Sequence, residues 1–240
     1  MKYLTFIRSA ESYRESPPPA ALMEAMGEYV ERSRRDGTLV DSEPVHLACW
    51  RKALTPYNAN LSKEDYNQNL SGMPSIYSAA WLAGKFNLDI AADALLREKQ
   101  KHLRDFLTSD CFPLMPGVKS LLEYLAERSI PLAVATGASG EEVAASLRHH
   151  QLAPYFSAVI SKDDVHRNKP APDVYQLAAG RLAVAEQHCV AIEDSDNGEQ
   201  AARAAGIHCL RYHPVAAAPE NYRFACYATL WDWLEPRLVK

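Results

Sequence analysis

Three acids, Glu193, Asp194 and Asp196, stand within four residues of each other, directly after the apolar run Val190-Ala191-Ile192. Like charges crowded at one strand end are costly unless a cation or a lysine shares the site. Lys169, in Lys169-Pro170, is a lysine able to meet phosphate oxygens or a carboxylate. Ala135-Thr136-Gly137 closes another apolar run with a hydroxyl, and the amides that follow it at a helix start can bind an anion. A fourth polar segment, residues 36–43 (DGTLVDSE), precedes a helical stretch. Each has an ordinary reading when taken alone. Asp196 or Asn197 can cap the next helix, Lys169 can be a solvated loop residue, and Thr136 by itself means nothing. Their order and spacing together point to phosphate and a hard cation.

The elements that must position these residues alternate. Residues 130–135 (IPLAVA) form a continuous apolar run, as expected of a strand buried on both faces of a parallel sheet, and 158–160, 189–192 and 208–212 are shorter runs of the same kind. Helical stretches lie at 117–127, 141–149, 173–182 and 198–205, the last ending at Gly206 as a C-cap. Strand and helix in this rhythm predict an α/β fold built on a doubly wound parallel sheet, with ligands at the carboxyl ends of the strands. Residues 45–110 differ, with amphipathic helices at 45–54, 75–86 and 91–106 and no strand signal between them. They read either as a helical cap over the core or as a subdomain that only stabilises. Residues 1–35 form a third zone, strand-like over 2–8 and helix-like from Ala20 to Arg35 after Pro17-Pro18-Pro19.

Bulk properties narrow the classes. A hydrophobic fraction of 48% allows a sizeable core, and a net charge of −4 without a basic run argues against nucleic-acid or membrane-surface partners. Five scattered cysteines without a CxxC pair fit free thiols and a cytoplasmic setting. The opening residues lack an export signal, and no apolar stretch approaches the roughly 18 residues of a membrane span.

At this point the motifs carry a resemblance. Residues 36–43 followed by Pro44-Val45-His46 and Trp50 resemble the first motif and cap entry of haloacid dehalogenase-like phosphatases of the β-phosphoglucomutase branch. Leu114-Met115-Pro116-Gly117-Val118 is similar to that branch's return from cap to core. Ala133-Val134-Ala135-Thr136, Lys169-Pro170 and Glu193-Asp194-Ser195 with Gly198 are similar to its second, third and fourth motifs, so that the match spans about four-fifths of the chain. The resemblance implies a core over 36–44 and 111–240 and a cap over 45–110. It also implies catalysis through an aspartyl-phosphate, with Asp36 as general acid and base and its carbonyl on Mg²⁺. Thr136 and Lys169 would bind the transferring phosphoryl group with Gly137 beside them, and Asp194 and Glu193 would hold Mg²⁺. His46 would sit near the general acid. Gly72 opens a cap loop that touches substrate, and Met73-Pro74-Ser75-Ile76 after it lacks the arginine expected of a sugar-phosphate mutase, which favours phosphatase over β-phosphoglucomutase-like isomerase.

The pattern breaks at one position. The family motif Asp-x-Asp-Gly-Thr appears here as Arg34-Arg35-Asp36-Gly37-Thr38, so Arg34 occupies the nucleophile's place. Residues 27–35 (GEYVERSRR) carry five charges, more than a central buried strand tolerates. The first forty residues instead resemble the opening of a YCII-related domain, overlapping the other resemblance at 36–41. Before the cap only residues 2–7 are apolar enough for the empty central strand, with Tyr3, Leu4, Phe6 and Ile7 expected to be buried there. A helix packed back against that strand would then leave Asp36 at the far end of the sheet from Thr136 and Asp194. The expected function is a Mg²⁺-dependent hydrolase of small phosphorylated metabolites, sugar phosphates above all, impaired by the lost nucleophile. The alternative is a catalytically inactive phosphate-binding pseudoenzyme.

Overall fold

The computed structural model describes residues 6–8, 38–71, 73–212 and 223–224, with side chains excepted at 6–8, 212, 223 and 224. The chain divides into two compact units, one of Met1–Asp41 with Pro113–Lys240 and one of Ser42–Phe112.

The first unit is the α/β one. Strand β1 is Phe6–Arg8. After the second unit come helix α5 (Val118–Glu127), strand β2 (Ala133–Ala135), α6 (Gly140–His149), β3 (Ala158–Ile160), α7 (Asp173–Leu182), β4 (Cys189–Glu193), α8 (Asp196–Ala204), β5 (His208–Tyr212) and β6 (Arg223–Phe224). β2 pairs with β3, and β4 with β5, in parallel across a helical crossover, the arrangement that the alternating sequence predicts. β6 extends that ladder, also in parallel, to give the order β1-β4-β5-β6. All five residues of β4 and all three of β2 are buried, which explains their unbroken apolar composition up to Glu193. β3 is an outer strand, and its Val159 is correspondingly exposed.

β1 lies against β4, in the slot left without a strand, but runs antiparallel to it, with Phe6 opposite Ala191 and Arg8 opposite Cys189. The burial of Tyr3, Leu4, Phe6 and Ile7, the helix through Arg35 and the rest of the YCII-like opening lie outside the described residues. Where the chain passes to the second unit and returns, the two crossings pair as an antiparallel bridge between Val40 and Leu114, with the Asp41 amide on the Pro113 carbonyl at 2.8 Å.

Local chemistry sets the helix ends. Ser139 and Glu142 form a capping box at the start of α6, and Gly206 takes φ +75° just past α8, where its lack of Cβ removes the cost. At α8 the cap is Ser195, whose side chain accepts from the Gly198 amide, so neither Asp196 nor Asn197 fills that role.

The second unit is entirely helical among its described residues: α1 (Glu43–Leu54), α2 (Lys63–Asn69), α3 (Ser75–Lys85) and α4 (Ala92–Ser109). α2 was not foreseen, because KEDYNQN shows no apolar periodicity. It is held by a Ser62 N-cap and by one buried side chain, Tyr66. Trp50, Leu54, Leu61, Leu82 and Leu95 form the heart of this unit's core.

Candidate active site

The acidic strand end is organised around Glu193, which is fully buried. Lys169 Nζ donates to its Oε1, as does the Tyr175 hydroxyl at 2.9 Å. Its Oε2 accepts from the Asp194 amide at 3.2 Å, the Ser195 amide at 3.4 Å and the Ser195 hydroxyl at 3.2 Å. The cost of the buried carboxylate is thus met by a cation and by oriented donors. Burial, and after it the negative charge of Glu193, hold the Tyr175 hydroxyl well above the usual phenol range, so it stays protonated and donates. Gly198 completes the cradle. A Cβ there would lie 1.9–2.0 Å from the Glu193 carboxylate atoms, so any side chain collides with the group at the centre of the site.

Lys169 also donates to the Ala135 carbonyl at 3.1 Å, which ties the loop after β3 to the end of β2. Thr136, the next residue, is fully buried and accepts from the Ala138 amide at 3.1 Å. Gly137 faces Asn168, whose side chain in turn accepts from the Lys169 amide at 2.8 Å. Asp194 accepts from the Thr38 hydroxyl at 3.0 Å, and Thr38 is buried. Thr136, Gly137, Lys169, Glu193 and Asp194 therefore gather at the carboxyl ends of β2 and β4. Thr38 is at the same end, beside Asp194. Asp36 itself, Gly37 and Arg34 lie outside the described residues, and so does Gly72.

In the second unit His46, half-buried on α1, lies beside Lys99 of α4 and Phe112. Its Nδ1 lies 3.0 Å from Lys99 Nζ, and the Phe112 ring centroid lies 5.6 Å away. Burial first, and Lys99 beside it, hold His46 well below the usual histidine range, so the ring is neutral. An ammonium only donates, which makes Nδ1 the acceptor and puts the ring proton on Nε2. Lys99 is itself buried, with Nζ 5.8 Å from the Trp50 ring centroid. Sequence reasoning missed this lysine and Tyr175. A signal existed for Lys99, which interrupts the otherwise apolar line Leu95–Lys99–Leu103 on the buried face of α4. Tyr175, in the first turn of α7, gave none.

The site's fit to a cation falls on Asp194. Among the described residues no group of three His, Cys, Asp or Glu side chains could hold a metal ion. Mg²⁺, however, takes one or two carboxylates and completes its shell with waters and substrate phosphate. Asp194 is a hard oxygen donor of that kind at the strand end. Both oxygens of Glu193 already accept from Lys169, Tyr175, Ser195 and the loop amides.

The doubly wound fold, the acidic end of β4 and the lysine shared with β2 define a class. Residues 36–212 match the family model for haloacid dehalogenase-like hydrolases, and the chain belongs to that family. Fructose-1-phosphate phosphatase YqaB of Escherichia coli (strain K12) is 38% identical over 175 residues, covering 73% of this chain and 91% of that protein. Hexitol phosphatase A of the same organism is 33% identical over 186 residues, covering 77% of this chain and 82% of that protein. Among solved structures, β-phosphoglucomutase from Clostridium difficile shares the fold with a TM-score of 0.67 at 20% identity, over 85% of this chain and 93% of that one. Among the described residues no helix is long and apolar enough to cross a membrane.

Proposed function

We propose that this chain binds small phosphorylated sugars together with Mg²⁺ at the Thr136–Lys169–Asp194 site, and that Arg34 in the nucleophile's place leaves it little or no hydrolysis. The observation that carries the reading is Lys169, a cation held by buried Glu193 against the end of β2, beside Thr136 and Gly137. Two of its three N–H donors go to Ala135 and Glu193, and the third serves a phosphoryl oxygen. Thr136 and the amides leading into α6 take the other oxygens. Sugar phosphates are the substrate class because relatives above 30% identity are named for them, fructose 1-phosphate among these.

Asp194 would hold Mg²⁺, with the Asp36 carbonyl as a second oxygen. The ion, when bound, offsets the charge of the phosphoryl group. Glu193 acts on Lys169 rather than on the cation. Asp36 would exchange a proton with the sugar oxygen. The covalent step requires a carboxylate that attacks phosphorus. A guanidinium keeps its proton and has no lone pair to offer, so no aspartyl-phosphate forms through residue 34.

The test is turnover of an aryl phosphate with Mg²⁺ by the full chain. The expected result is no phosphoenzyme and release near background. Robust turnover abolished by Asp36→Asn or Lys169→Ala would show that another group replaces the nucleophile, and the inactive reading would fall.

A further inference from the structure

Arg211, near the end of β5, is the register partner of Glu193. Its side chain is only 9% exposed, yet the guanidinium is not enclosed by apolar groups alone. Instead its guanidinium turns to the first turn of α8, where Nη1 donates to Glu199 Oε2 and Nη2 to Asp196 Oδ1, both at 2.8 Å. Asp196 is a surface residue with a side chain 99% exposed, so the buried arginine reaches out to a carboxylate that stays solvated. A two-point fork of this kind fixes geometry more than it adds stability.

What it fixes is the loop that carries Asp194. On one side that loop is anchored by Glu193, which takes the Asp194 and Ser195 amides. On the other side it runs through the Ser195 cap into the turn of Asp196, Gly198 and Glu199, which Arg211 ties to β5. We propose that Arg211 is a positioning residue for Asp194, which sets the site's affinity for a divalent cation by immobilising residues 194–198. This rests on the Mg²⁺ reading above and adds to it a residue outside the acidic motif.

The test uses the full chain and the variants Arg211→Met, which keeps bulk and loses the fork, and Arg211→Lys, which keeps charge. Asp196→Asn weakens the same contact from the exposed side, where folding is not at stake. Three quantities are read well below the unfolding temperature: Mg²⁺ titration, titration with inorganic phosphate without metal, and amide hydrogen exchange. Arg211→Met should weaken Mg²⁺ about tenfold and speed exchange at 194–198. Phosphate binding and exchange in β2 and β3 should not change. Arg211→Lys should recover part of the loss, and Asp196→Asn should move in the same direction to a smaller extent. Unchanged Mg²⁺ affinity and loop exchange in Arg211→Met overturn the proposal. Equal acceleration in β2, β3 and the loop, with phosphate binding lost as well, also overturns it and leaves a general structural role. If the natural chain takes up no Mg²⁺ at all, the cation reading fails, and exchange at 194–198 alone decides whether Arg211 holds the loop.

Discussion

Gly198→Ala should destabilise this protein although it replaces a helical glycine. At an ordinary helix position the change stabilises by roughly 0.5–1 kcal/mol, because alanine has less unfolded-state freedom to lose. Here the added Cβ would meet Cδ of Glu193 at 1.9 Å and both carboxylate oxygens at 2.0 Å. The carboxylate cannot step aside cheaply, since it is fully buried and accepts from Lys169, Tyr175, Ser195 and two loop amides. Either Glu193 gives up Lys169 or α8 moves off β4. Breaking a buried pair costs about 3–5 kcal/mol, so a loss of at least about 3 kcal/mol is expected. Gly180→Ala in α7 is the internal control, because a Cβ there meets nothing within 4 Å. It should stabilise by about 0.5–1 kcal/mol. Urea unfolding of both variants at neutral pH gives the comparison. Two alanine variants of equal stability, or Gly198→Ala within about 1 kcal/mol of the natural chain, would refute the cradle as described.

Other outcomes follow from the same geometry. Tyr175→Phe removes one donor to the buried carboxylate and should cost about 1.5–3 kcal/mol in the same unfolding assay. A neutral cost would mean that the hydroxyl is not needed to satisfy Glu193. Because the folded pKa of His46 is depressed, its contribution to stability is complete above about pH 6.5 and is lost as pH falls below it, by up to about 1.4 kcal/mol per pH unit until the folded pKa is reached. His46→Gln should flatten that slope. His208, also lowered by burial and then by Arg203, leaves a smaller dependence of the same sign. Asp194→Asn should abolish Mg²⁺ uptake seen by calorimetry, and tight binding that survives it would remove Asp194 from the cation site.

Much of this was legible in the sequence for identifiable reasons. β2 and β4 are buried throughout, so their residues form apolar runs that end abruptly at Thr136 and Glu193, and the chemistry stands at the breaks. α7 coincides with the stretch read from periodicity. Tyr175 as a partner of Glu193 was hidden, as was Lys99 beside His46, because these hydrogen bonds join residues far apart in the chain and leave no local pattern. Arg211 was hidden for the opposite reason. In an exposed position it would be an ordinary surface arginine, and only burial makes it informative. The direction of β1 was out of reach too, since an apolar stretch such as residues 2–7 suits either orientation beside β4.

The most direct test of the central claim is a single titration of the full chain with fructose 1-phosphate in the presence of Mg²⁺, in which bound ligand and released phosphate are read from the same samples. The account predicts saturable binding that is lost in Lys169→Met, with phosphate release at background throughout. Absence of binding by the natural chain would contradict the phosphoryl site, and sustained release would contradict the loss of the nucleophile.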